Sequence, residues 1–323
     1  MIKKAPRGLF GDFRIIMSID VIIPTYKPKK GFIELLLMLK RQTVLPDRII
    51  VINTDEDCFR EFESGCDDKG ILSGIEISHI KKEEFDHGHT RNTAMHMSKA
   101  DICIMMTMDA LPKDEYLIEN LVKPLEDEKI AASYARQLAY ENSSITEKLT
   151  RQFNYPDESI VKSAKDIESM QIKAFFCSNV CCAYNMRIFN ELGGFIDRTI
   201  FNEDMIYAAK ALRAGYSIAY CAEACVYHSH EYSGREQFKR NFDNGVSHAQ
   251  NPMVFEGVTQ DGEGKRMVKS VLKQLLGSGH PFKAVGYIYN CGCKYMGFKL
   301  GLRYEKLPKG LVRAFSSQRE YFD

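Results

Sequence analysis

The sequence predicts an α/β fold, a mixed and mostly parallel sheet with helices on both faces. Short apolar runs alternate with segments whose apolar residues recur at helical spacing, and strands that alternate with helices build parallel sheets. The runs are almost continuously apolar, as expected of strands buried on both faces. One of them, ICIMMTMD, ends in the carboxylate of Asp109. Because open α/β sheets bind ligands beyond the carboxyl ends of their strands, Asp109 is the first candidate functional residue.

The first part of the chain alternates strand and helix. The β-branched run at residues 20–25 predicts a buried strand, and apolar residues at helical spacing predict a helix from about Phe32 to Gln42. Further strands are predicted at residues 48–53, 75–80 and 102–109, and a helix at residues 89–100.

The second part continues this pattern. The predicted elements are a helix at residues 116–125, a strand at 130–137, a short helix closing on Gly193 and Gly194, and a strand or strand pair at 216–230. A further helix is expected to be capped by Asn202 and to end at Gly215. The polar residues 140–171 predict loop and short helix over the site. From about Ser233 the pattern becomes helical and basic.

The charge of the chain is unevenly distributed. Its 323 residues carry a net charge of +1, but the segment from Lys265 to the C-terminus has twelve Lys and Arg against three acidic residues. This asymmetry predicts an anionic partner for the C-terminal region alone. No recognition motif accompanies the charge, so nucleic acid is not the expected partner.

The ten cysteines are expected to be reduced thiols in a cytoplasmic protein. No secretory signal is evident, and no apolar run approaches the roughly 18 residues that span a membrane. The pairs Cys177/Cys181 and Cys291/Cys293 are conceivable zinc ligands. Neither has a second pair at suitable spacing, which favours packing.

The glycine pattern disfavours two common nucleotide sites. No GxGxxG follows the first strand and no GxxxxGK[ST] occurs, which argues against Rossmann dinucleotide binding and P-loop phosphate transfer. A nucleotide bound by this sheet would need another way to hold its diphosphate, and a divalent metal ion is the obvious one.

A series of motifs in a particular order carries a family resemblance. The segments are VIIPTYKP, QTVLPDRIIVIN, FDHGHTRNTA, TMDALP, ELGGF, FNEDMIYAAKALRAGY and VYHSHEYS. In this order they resemble the inverting family-2 glycosyltransferases of the GT-A fold, and HGHTRN and TMDALP are most similar to the bacterial rhamnosyltransferase branch. The resemblance implies a GT-A catalytic domain at residues 18–235, with a basic, mostly helical region at 236–323.

Residues 1–17 are predicted to be an N-terminal extension. Met17 opens the segment MSIDVIIPTY, which begins like a complete domain. Residues 1–16 are therefore expected to be a leader or the result of a misassigned start.

The resemblance implies a metal site at the end of the central strand. Asp109 would bind Mn²⁺ or Mg²⁺, because hard divalent ions prefer carboxylate oxygens. The family's Asp-x-Asp motif here reads Thr107-Met108-Asp109, which places Thr107 and Met108 beside the nucleotide without adding a charge. A histidine follows the last core strand in related enzymes, and His228, which is favoured, or His230 fits that position. The alternatives are a turn-capping Asp109 and hydrogen-bonded structural histidines.

The resemblance also implies a single general base. Inverting transfer is a direct displacement at the anomeric carbon, so one carboxylate must accept the proton of the acceptor hydroxyl, while a diphosphate leaves without a protein acid. The family's ED motif identifies Asp204 as this base. Glu203 is explained by the helix macrodipole and, like Gly194, is expected near the donor or acceptor sugar.

The expected nucleoside pocket lies at the end of the first strand and is lined by Pro24, Thr25 and Tyr26. Asn53 stands where the family often has an Asp that recognises the pyrimidine, and its amide can still donate to and accept from a base edge. Arg91 and Asn92 lie near a helix N-terminus, a reasonable site for the diphosphate or the base edge. A surface ion pair is the alternative for Arg91.

The C-terminal region has the pattern of an amphipathic basic helix followed by an aromatic and basic stretch. Its apolar positions are Met267, Val271, Leu275 and Leu276. Such segments bind anionic membrane interfaces, which would suit an acceptor on a lipid carrier. The alternative is a helix packed on the catalytic domain or on a partner subunit.

These features predict a metal-dependent inverting glycosyltransferase of cell-surface polysaccharide synthesis, cytoplasmic and peripheral on the inner face of the plasma membrane. The donor is expected to be dTDP-rhamnose, with a UDP-sugar left open, and the acceptor a saccharide or a lipid-linked precursor. One alternative, a sugar nucleotidyltransferase, would need a Gly-rich, Arg/Lys-bearing loop after the first strand, which PTYKPKKG matches poorly. The other, a non-catalytic sugar-nucleotide binder or membrane scaffold, would not need Asp109 and Asp204 together.

Overall fold

Nine strands form one sheet in the described part of the chain, which in this computed structural model comprises residues 17–66, 69–259 and 261–322. The strands are β1 (Ile19–Tyr26), β2 (Arg48–Thr54), β3 (Ile75–Ile80), β4 (Ile102–Met106), β5 (Leu111–Pro112), β6 (Ile130–Leu138), β7 (Ile160–Lys162), β8 (Cys181–Asn185) and β9 (Ser217–Tyr227). The proposed leader at residues 1–16 lies outside the described residues.

The sheet is mixed and mostly parallel, as predicted. Its strand order is β3-β2-β1-β4-β8-β6-β9-β5, with β7 paired to β9. Strands β1 to β4 run parallel to one another, and β6 runs parallel to β9. Strand β8 is antiparallel between β4 and β6. The carboxyl ends of β1, β2, β3 and β4 therefore meet at one edge, where ligands of open α/β sheets bind.

Helices cover both faces of the sheet. They are α1 (Lys30–Leu39), α2 (Glu56–Ser64), α3 (His87–Met97), α4 (Leu117–Val122), α5 (Ile145–Asn154), α6 (Ile167–Met170), α7 (Met186–Glu191), α8 (Glu203–Arg213), α9 (Gly234–Gln250), α10 (Asp261–Gly277), α11 (Pro281–Gly301) and α12 (Lys309–Phe315). Along β1, Ile22 packs into the cluster beneath α3, α7 and α8, whereas Val21 and Ile23 pack beneath α1 and α4. This double burial explains why the strands are continuously apolar.

Five cysteines pack within these two clusters, namely Cys103, Cys177, Cys181, Cys182 and Cys221. Cys177 and Cys182 belong to one face of the sheet, with their sulfur atoms 3.4 Å apart, whereas Cys181 belongs to the opposite face. Cys177 and Cys181 therefore cannot bind one zinc ion together, and the packing interpretation of these thiols is confirmed.

The start of α3 is set by a side-chain cap. The helix begins at His87, two residues before the predicted start, because Asp86 Oδ1 accepts hydrogen bonds from the backbone N–H groups of Gly88 and His89, both at 2.9 Å. The Asp86 side chain thus satisfies N–H groups that a helix start leaves without partners.

The start of α8 differs from the prediction. Asn202 precedes the helix, but it does not cap it, because its backbone is left-handed (φ 66°) and its amide donates to Asn244 Oδ1 at 2.6 Å. The C-terminal end agrees with the prediction, since Gly215 follows the helix with φ 91°. The segment 140–171 is more regular than predicted, because it includes α5, β7 and α6.

The C-terminal helices pack on the sheet domain through α9. Gly297 and Gly301 of α11 lie so close to α9 that added Cβ atoms would fall 2.2 Å from Phe238 O and 2.1 Å from Phe242 O. Helix α10 turns Val271 and Leu275 toward α5 and α11. The packed-helix alternative is therefore correct for this face of α10, whereas Leu276 is exposed.

Candidate active site

Three side chains from two segments meet at the carboxyl edge of the sheet. Asp109 follows β4, and His228 and His230 follow β9. The Nε2 atoms of His228 and His230 lie 3.6 and 3.3 Å from the carboxylate oxygens of Asp109 and 3.0 Å from each other. Carboxylate and imidazole together suit Mn²⁺, so this cluster has the donor set for a divalent cation. The Asp109 side chain is 45% exposed, which leaves it accessible to a ligand.

The contacts of His228 with β6 fix its tautomer. Arg151 Nη1, which can only donate, hydrogen-bonds Gln137 Oε1, and Gln137 Nε2 donates to Ser178 Oγ at 2.9 Å. The atom that faces His228 Nδ1 at 3.1 Å is therefore an acceptor oxygen. Because Nδ1 must carry the proton, Nε2 of His228 is unprotonated and directs its lone pair into the cluster formed with Asp109 and His230.

The charge states of the cluster follow from its burial and contacts. Burial lowers the pKa of His228 to about 3, so this ring is neutral at physiological pH. Burial would raise the pKa of Asp109, but its contacts with His230 and His228 outweigh burial and hold the pKa well below its usual value. An ionised carboxylate beside a neutral imidazole is the protonation state that metal binding requires.

The two carboxylates that begin α8 have different surroundings. Glu203 is buried, and its Oε1 lies 3.2 Å from Arg91 Nε and accepts a hydrogen bond from Asn179 Nδ2 at 3.0 Å. Asp204 is partly exposed and accepts from the backbone N–H groups of Asn179 (2.9 Å) and Met205 (2.7 Å). Arg91 thus forms an ion pair with Glu203 inside the protein. It does not form the surface ion pair that the sequence offered as an alternative, and its Nε atom faces Glu203 rather than an open anion site. Glu203 likewise has protein partners rather than a face open to a sugar.

The pKa values of these neighbours move in opposite directions. Burial raises the pKa of Asp204 to about 7, and the negative charge of Glu203 adds to the rise. Burial would also raise the pKa of Glu203, but the charges of Arg91 and His87 outweigh it, so that this pKa is lowered. Glu203 is therefore held in its charged form, whereas the raised pKa of Asp204 suits a group that accepts a proton near neutral pH.

One short segment, residues 178–180, joins the two groups. Ser178 holds Gln137 behind His228, Asn179 binds both Glu203 and Asp204, and Val180 O accepts a hydrogen bond from Thr107 N at 3.1 Å. These contacts fix the position of the Asp109 loop relative to Asp204. Sequence reasoning missed Asn179 and Gln137. The polar Ser-Asn pair inside the apolar run FFCSNVCC was the signal for Asn179.

The residues expected to line the nucleoside pocket are only partly accessible. Asn53 is 0% exposed; its Oδ1 accepts from Thr25 Oγ1 at 3.1 Å, and its Nδ2 donates to Asp55 O at 3.0 Å. Thr25 is buried as well. These two side chains therefore join the ends of β1 and β2 inside the protein, and their predicted contact with the nucleoside stays a prediction. Pro24 is half-buried beside them, whereas Tyr26 is exposed at the edge.

Two cavities open at this edge. The larger, of about 710 Å³, lies beyond β1, β2 and β3 and is lined on the sheet side by Tyr26, Thr54, Lys82, Glu83, Phe85 and Asp86. The smaller, of about 280 Å³, lies beside the metal-binding cluster, and Met108, Asp109 and Tyr140 line it. Nucleotide-sized ligands occupy cavities of this range, so the edge has space for a nucleoside on one side of Asp109 and another group beside it.

Asn92 and Gly194 shape the turn before α8. Asn92 Oδ1 accepts from Phe195 N at 2.8 Å, while its Nδ2 donates to Phe195 O at 2.7 Å. Gly194 has φ 67°, and a Cβ there would lie 2.7 Å from Asn92 Oδ1, so that only glycine fits. The Asn92 amide is therefore occupied by this turn rather than free to bind an anion.

A cation that the sequence did not point to lies beside the histidines. The guanidinium of Arg240, on α9, lies 4.8 Å from the ring centre of Tyr232, and the Tyr232 ring stacks on His230 with ring centres 5.1 Å apart. Within residues 17–66, 69–259 and 261–322, no carboxylate lies within ion-pair distance of Arg240. Its charge is thus available to an anionic ligand at the metal-binding cluster.

The chain is similar to known glycosyltransferases. The profile of the family "Glycosyl transferase family 2" matches residues 20–193. The chain is 41% identical over 316 residues to the O-antigen chain rhamnosyltransferase RfbN of Salmonella typhimurium, covering 95% of this chain and 96% of the relative. It is 36% identical over 313 residues to the O-antigen chain rhamnosyltransferase WbaN of Salmonella anatum, with the same coverage of each.

A solved structure shares the fold. It is that of the mannosyltransferase PcManGT from Pyrobaculum calidifontis in complex with GDP-Man and Mn²⁺, with a TM-score of 0.53 and 15% identity over 99% of this chain and 88% of that chain. This likeness confirms the expected GT-A architecture. Membership of the family decides against the two alternatives, a nucleotidyltransferase and a non-catalytic binder. The sheet, the order of the motifs and these relatives agree. The chain therefore belongs to glycosyltransferase family 2, in the branch of the rhamnosyltransferases, and it is an enzyme of glycosyl transfer.

Proposed function

We propose that this enzyme is a metal-dependent inverting rhamnosyltransferase that transfers L-rhamnose from dTDP-rhamnose to a growing cell-surface polysaccharide of the O-antigen type. One observation carries the proposal. A cluster with the donor set for a divalent cation and a separate carboxylate with a pKa near 7 lie at the same sheet edge, joined by residues 178–180. The names of the two relatives at 41% and 36% identity support the donor sugar and the polysaccharide.

The metal-binding cluster would hold Mn²⁺ or Mg²⁺ through Asp109 and His228 Nε2, with His230 beside them. A divalent ion bound there supplies positive charge to the diphosphate that leaves from the donor. The mixed carboxylate and imidazole donors favour Mn²⁺ over Mg²⁺. Arg240 and the neighbouring Thr107 and Met108 would contact the same diphosphate, and Arg240 contributes a fixed charge that does not depend on the ion.

Asp204 is proposed to act as the general base. An acceptor hydroxyl that approaches the partly exposed carboxylate gives its proton to Asp204 as its oxygen attacks the anomeric carbon from the face opposite the diphosphate. The new bond from carbon to oxygen forms, the bond to the diphosphate oxygen breaks, and that electron pair leaves with the diphosphate. Each oxygen of Asp204 accepts one backbone hydrogen bond, which leaves lone pairs for the acceptor. The configuration at the anomeric carbon is inverted.

The C-terminal region is proposed to place the enzyme on an anionic membrane surface, where a lipid-linked acceptor would be presented. Helix α11 exposes an outer face of apolar and aromatic side chains, namely Phe282, Val285, Ile288, Tyr289, Tyr295 and Met296. Helical spacing places Lys299 on the same face, which therefore combines apolar area with a positive charge that anionic lipids attract. Among the described residues, no helix has the length and apolar character needed to cross a bilayer.

Membrane binding is tested with vesicles. We expect the protein to co-sediment with vesicles that contain anionic phosphatidylglycerol and to be released by high salt. The paired substitutions Phe282→Ser and Val285→Ser should abolish sedimentation, whereas Leu45→Ser, at an exposed apolar residue on the sheet domain, should not. Equal sedimentation of both variants would contradict this part of the proposal.

Donor choice is tested by nucleotide binding. A thermal-shift panel of dTDP-rhamnose, UDP-glucose and GDP-mannose, each with and without Mn²⁺, reports binding as an increase in the unfolding temperature. We expect the largest increase for dTDP-rhamnose with Mn²⁺. An equal or larger increase for UDP-glucose would replace the proposed donor, and the lack of any metal-dependent increase would contradict the metal-dependent mechanism.

A further inference from the structure

The larger cavity at the sheet edge has a second wall, which comes from the extreme C-terminal part of the chain. Opposite the sheet-side residues, it is lined by Ser317, Gln318, Glu320 and Tyr321. These residues follow α12, more than 230 positions after the sheet-side residues that form the other wall. The family match ends at residue 193, so nothing in it assigns a role to this segment.

The start of the segment is anchored on α9. Ser316 is buried, and its carbonyl oxygen accepts a hydrogen bond from Lys239 Nζ at 3.2 Å. Ser317 N donates to Asp243 Oδ2 at 2.9 Å, and the Ser317 hydroxyl donates to the same oxygen. Asp243 is 0% exposed. Two hydrogen bonds from Ser317 to one oxygen of this buried carboxylate fix the position of the chain at this point.

The rest of the segment spans the cavity to its opposite rim. Gln318 Nε2 donates to Ile200 O at 3.2 Å and lies 2.7 Å from His87 Nε2, at the start of α3. Glu320 pairs with Lys82 at 3.0 Å, but both side chains are exposed, so this pair adds little stability. The Tyr321 hydroxyl donates to Gln250 Oε1 at 2.9 Å. The segment is therefore fixed at its start and middle and only weakly held at its rim.

The chemistry of the two walls suits a nucleobase. Tyr26 and Phe85 on the sheet side and Tyr321 on the other side provide aromatic surface, on which a flat ring can stack. Because Gln318 Nε2 is engaged by Ile200 O and lies against His87 Nε2, the Gln318 amide offers its Oε1 atom, and Asp86 its second carboxylate oxygen, as acceptors for the N–H groups of a base edge. Asn53 and Thr25, which the family resemblance suggested as base-reading groups, are buried here.

We propose that the C-terminal segment 317–321 forms part of the donor-binding site and contacts the nucleoside of the nucleotide sugar through Gln318 and Tyr321. This inference rests on the proposed function, since it assumes that the cavity holds the nucleoside of the donor. It assigns donor affinity and base selectivity to residues outside the segment that the family profile matches.

The test compares a double variant and a single variant of the full chain. The first, Gln318→Ala with Tyr321→Ala, removes the side chains that line the cavity. The second, Arg319→Ala, changes the same segment at a position that does not line the cavity, and it leaves Phe322 unchanged because the Phe322 ring packs on Tyr321. The dissociation constant of dTDP is measured by titration calorimetry with Mn²⁺ present, and that of inorganic pyrophosphate is measured as a probe of the diphosphate site alone.

The first variant is expected to bind dTDP about tenfold more weakly while binding pyrophosphate as the wild type does, because only the nucleoside contacts are lost. The second variant should stay within about twofold of the wild type for both ligands. Unchanged dTDP binding by the first variant, or an equal loss in the second, would overturn the inference. If the wild-type protein bound no nucleotide, the proposed function itself would fail, which is a distinct result.

Discussion

The carboxylates of Asp109 and Asp204 lie at the same edge of the sheet, yet their surroundings prepare them for opposite tasks. Asp109 is half-exposed beside two histidines, which hold its pKa well below the usual value. Asp204 lies beside the charged Glu203, and burial together with that charge raises its pKa to about 7. A carboxylate that stays ionised can hold a cation, whereas one that titrates near pH 7 can take a proton. The comparison shows that environment, rather than residue type, sets the pKa of each carboxylate, and the two proposed roles follow from that difference.

The largest expected effect comes from removing the base. Asp204→Asn keeps the shape of the side chain and the Oδ1 atom that accepts a backbone hydrogen bond, but the amide cannot take a proton. We expect kcat for rhamnose transfer to fall by about 10²- to 10⁴-fold, because that is the usual contribution of a general base. Initial-rate assays with saturating donor check this, and dTDP binding serves as the control for folding. Full turnover by this variant would remove Asp204 from the mechanism.

The next effect concerns the metal. Asp109→Asn removes the only carboxylate of the metal-binding cluster, so the Mn²⁺ concentration needed for half-maximal activity should rise on the order of 100-fold. Activity measured across a Mn²⁺ series checks this prediction. Excess Mn²⁺ should restore part of the rate in this variant and none in Asp204→Asn. A metal requirement identical to that of the wild type would show that Asp109 is not a ligand.

A smaller effect on metal affinity is expected from substitutions of Gln137, which lies behind His228. Gln137→Met removes the oxygen that fixes the tautomer of His228, and such partners of metal ligands commonly contribute about 10- to 100-fold in metal affinity. Gln137→Glu keeps an acceptor at the same place and should restore most of the affinity. Binding of Mn²⁺, measured directly by electron paramagnetic resonance, distinguishes the two variants. Equal weakening in both would mean that Gln137 acts through packing alone.

The smallest effect is a shift in pH dependence. Because the charge of Glu203 contributes to the raised pKa of Asp204, Glu203→Gln should lower that pKa. A base works when deprotonated, so kcat/KM of the wild-type enzyme should rise with pH up to about 7, and the variant should reach its plateau at a lower pH. A pH series of kcat/KM on both proteins checks the direction. A shift to higher pH would contradict the coupling between the two carboxylates.

The sequence predicted the strands because they depend on local pattern, and it pointed to Asp109 and Asp204 as candidates because motif order carries the family resemblance. Continuous apolar runs identified β1, β2 and β4, and the strand predicted at residues 75–80 coincides with β3. The family resemblance then identified Asp109, Asp204, His228 and His230 as candidate site residues. The structure brings Asp109, His228 and His230 together.

The remaining features depend on contacts between distant parts of the chain. Gln137 meets His228 across 91 positions, and it lies in a strand that reads as ordinary core. Asn53 reads as an accessible amide at a strand end, but its burial depends on Thr25 in the neighbouring strand. Asn202 has the residue type of a helix cap, but its side chain is engaged by Asn244 of α9. None of these partners is near in sequence, so no local pattern could identify them.

The division of labour between the two carboxylates is tested most directly by titrating Mn²⁺ into Asp109→Asn and Asp204→Asn in the presence of dTDP, with free Mn²⁺ measured by electron paramagnetic resonance. The account predicts that Asp109→Asn loses affinity for Mn²⁺ on the order of 100-fold, whereas Asp204→Asn stays within about twofold of the wild type. Equal affinities in the two variants, or a larger loss in Asp204→Asn, would contradict it.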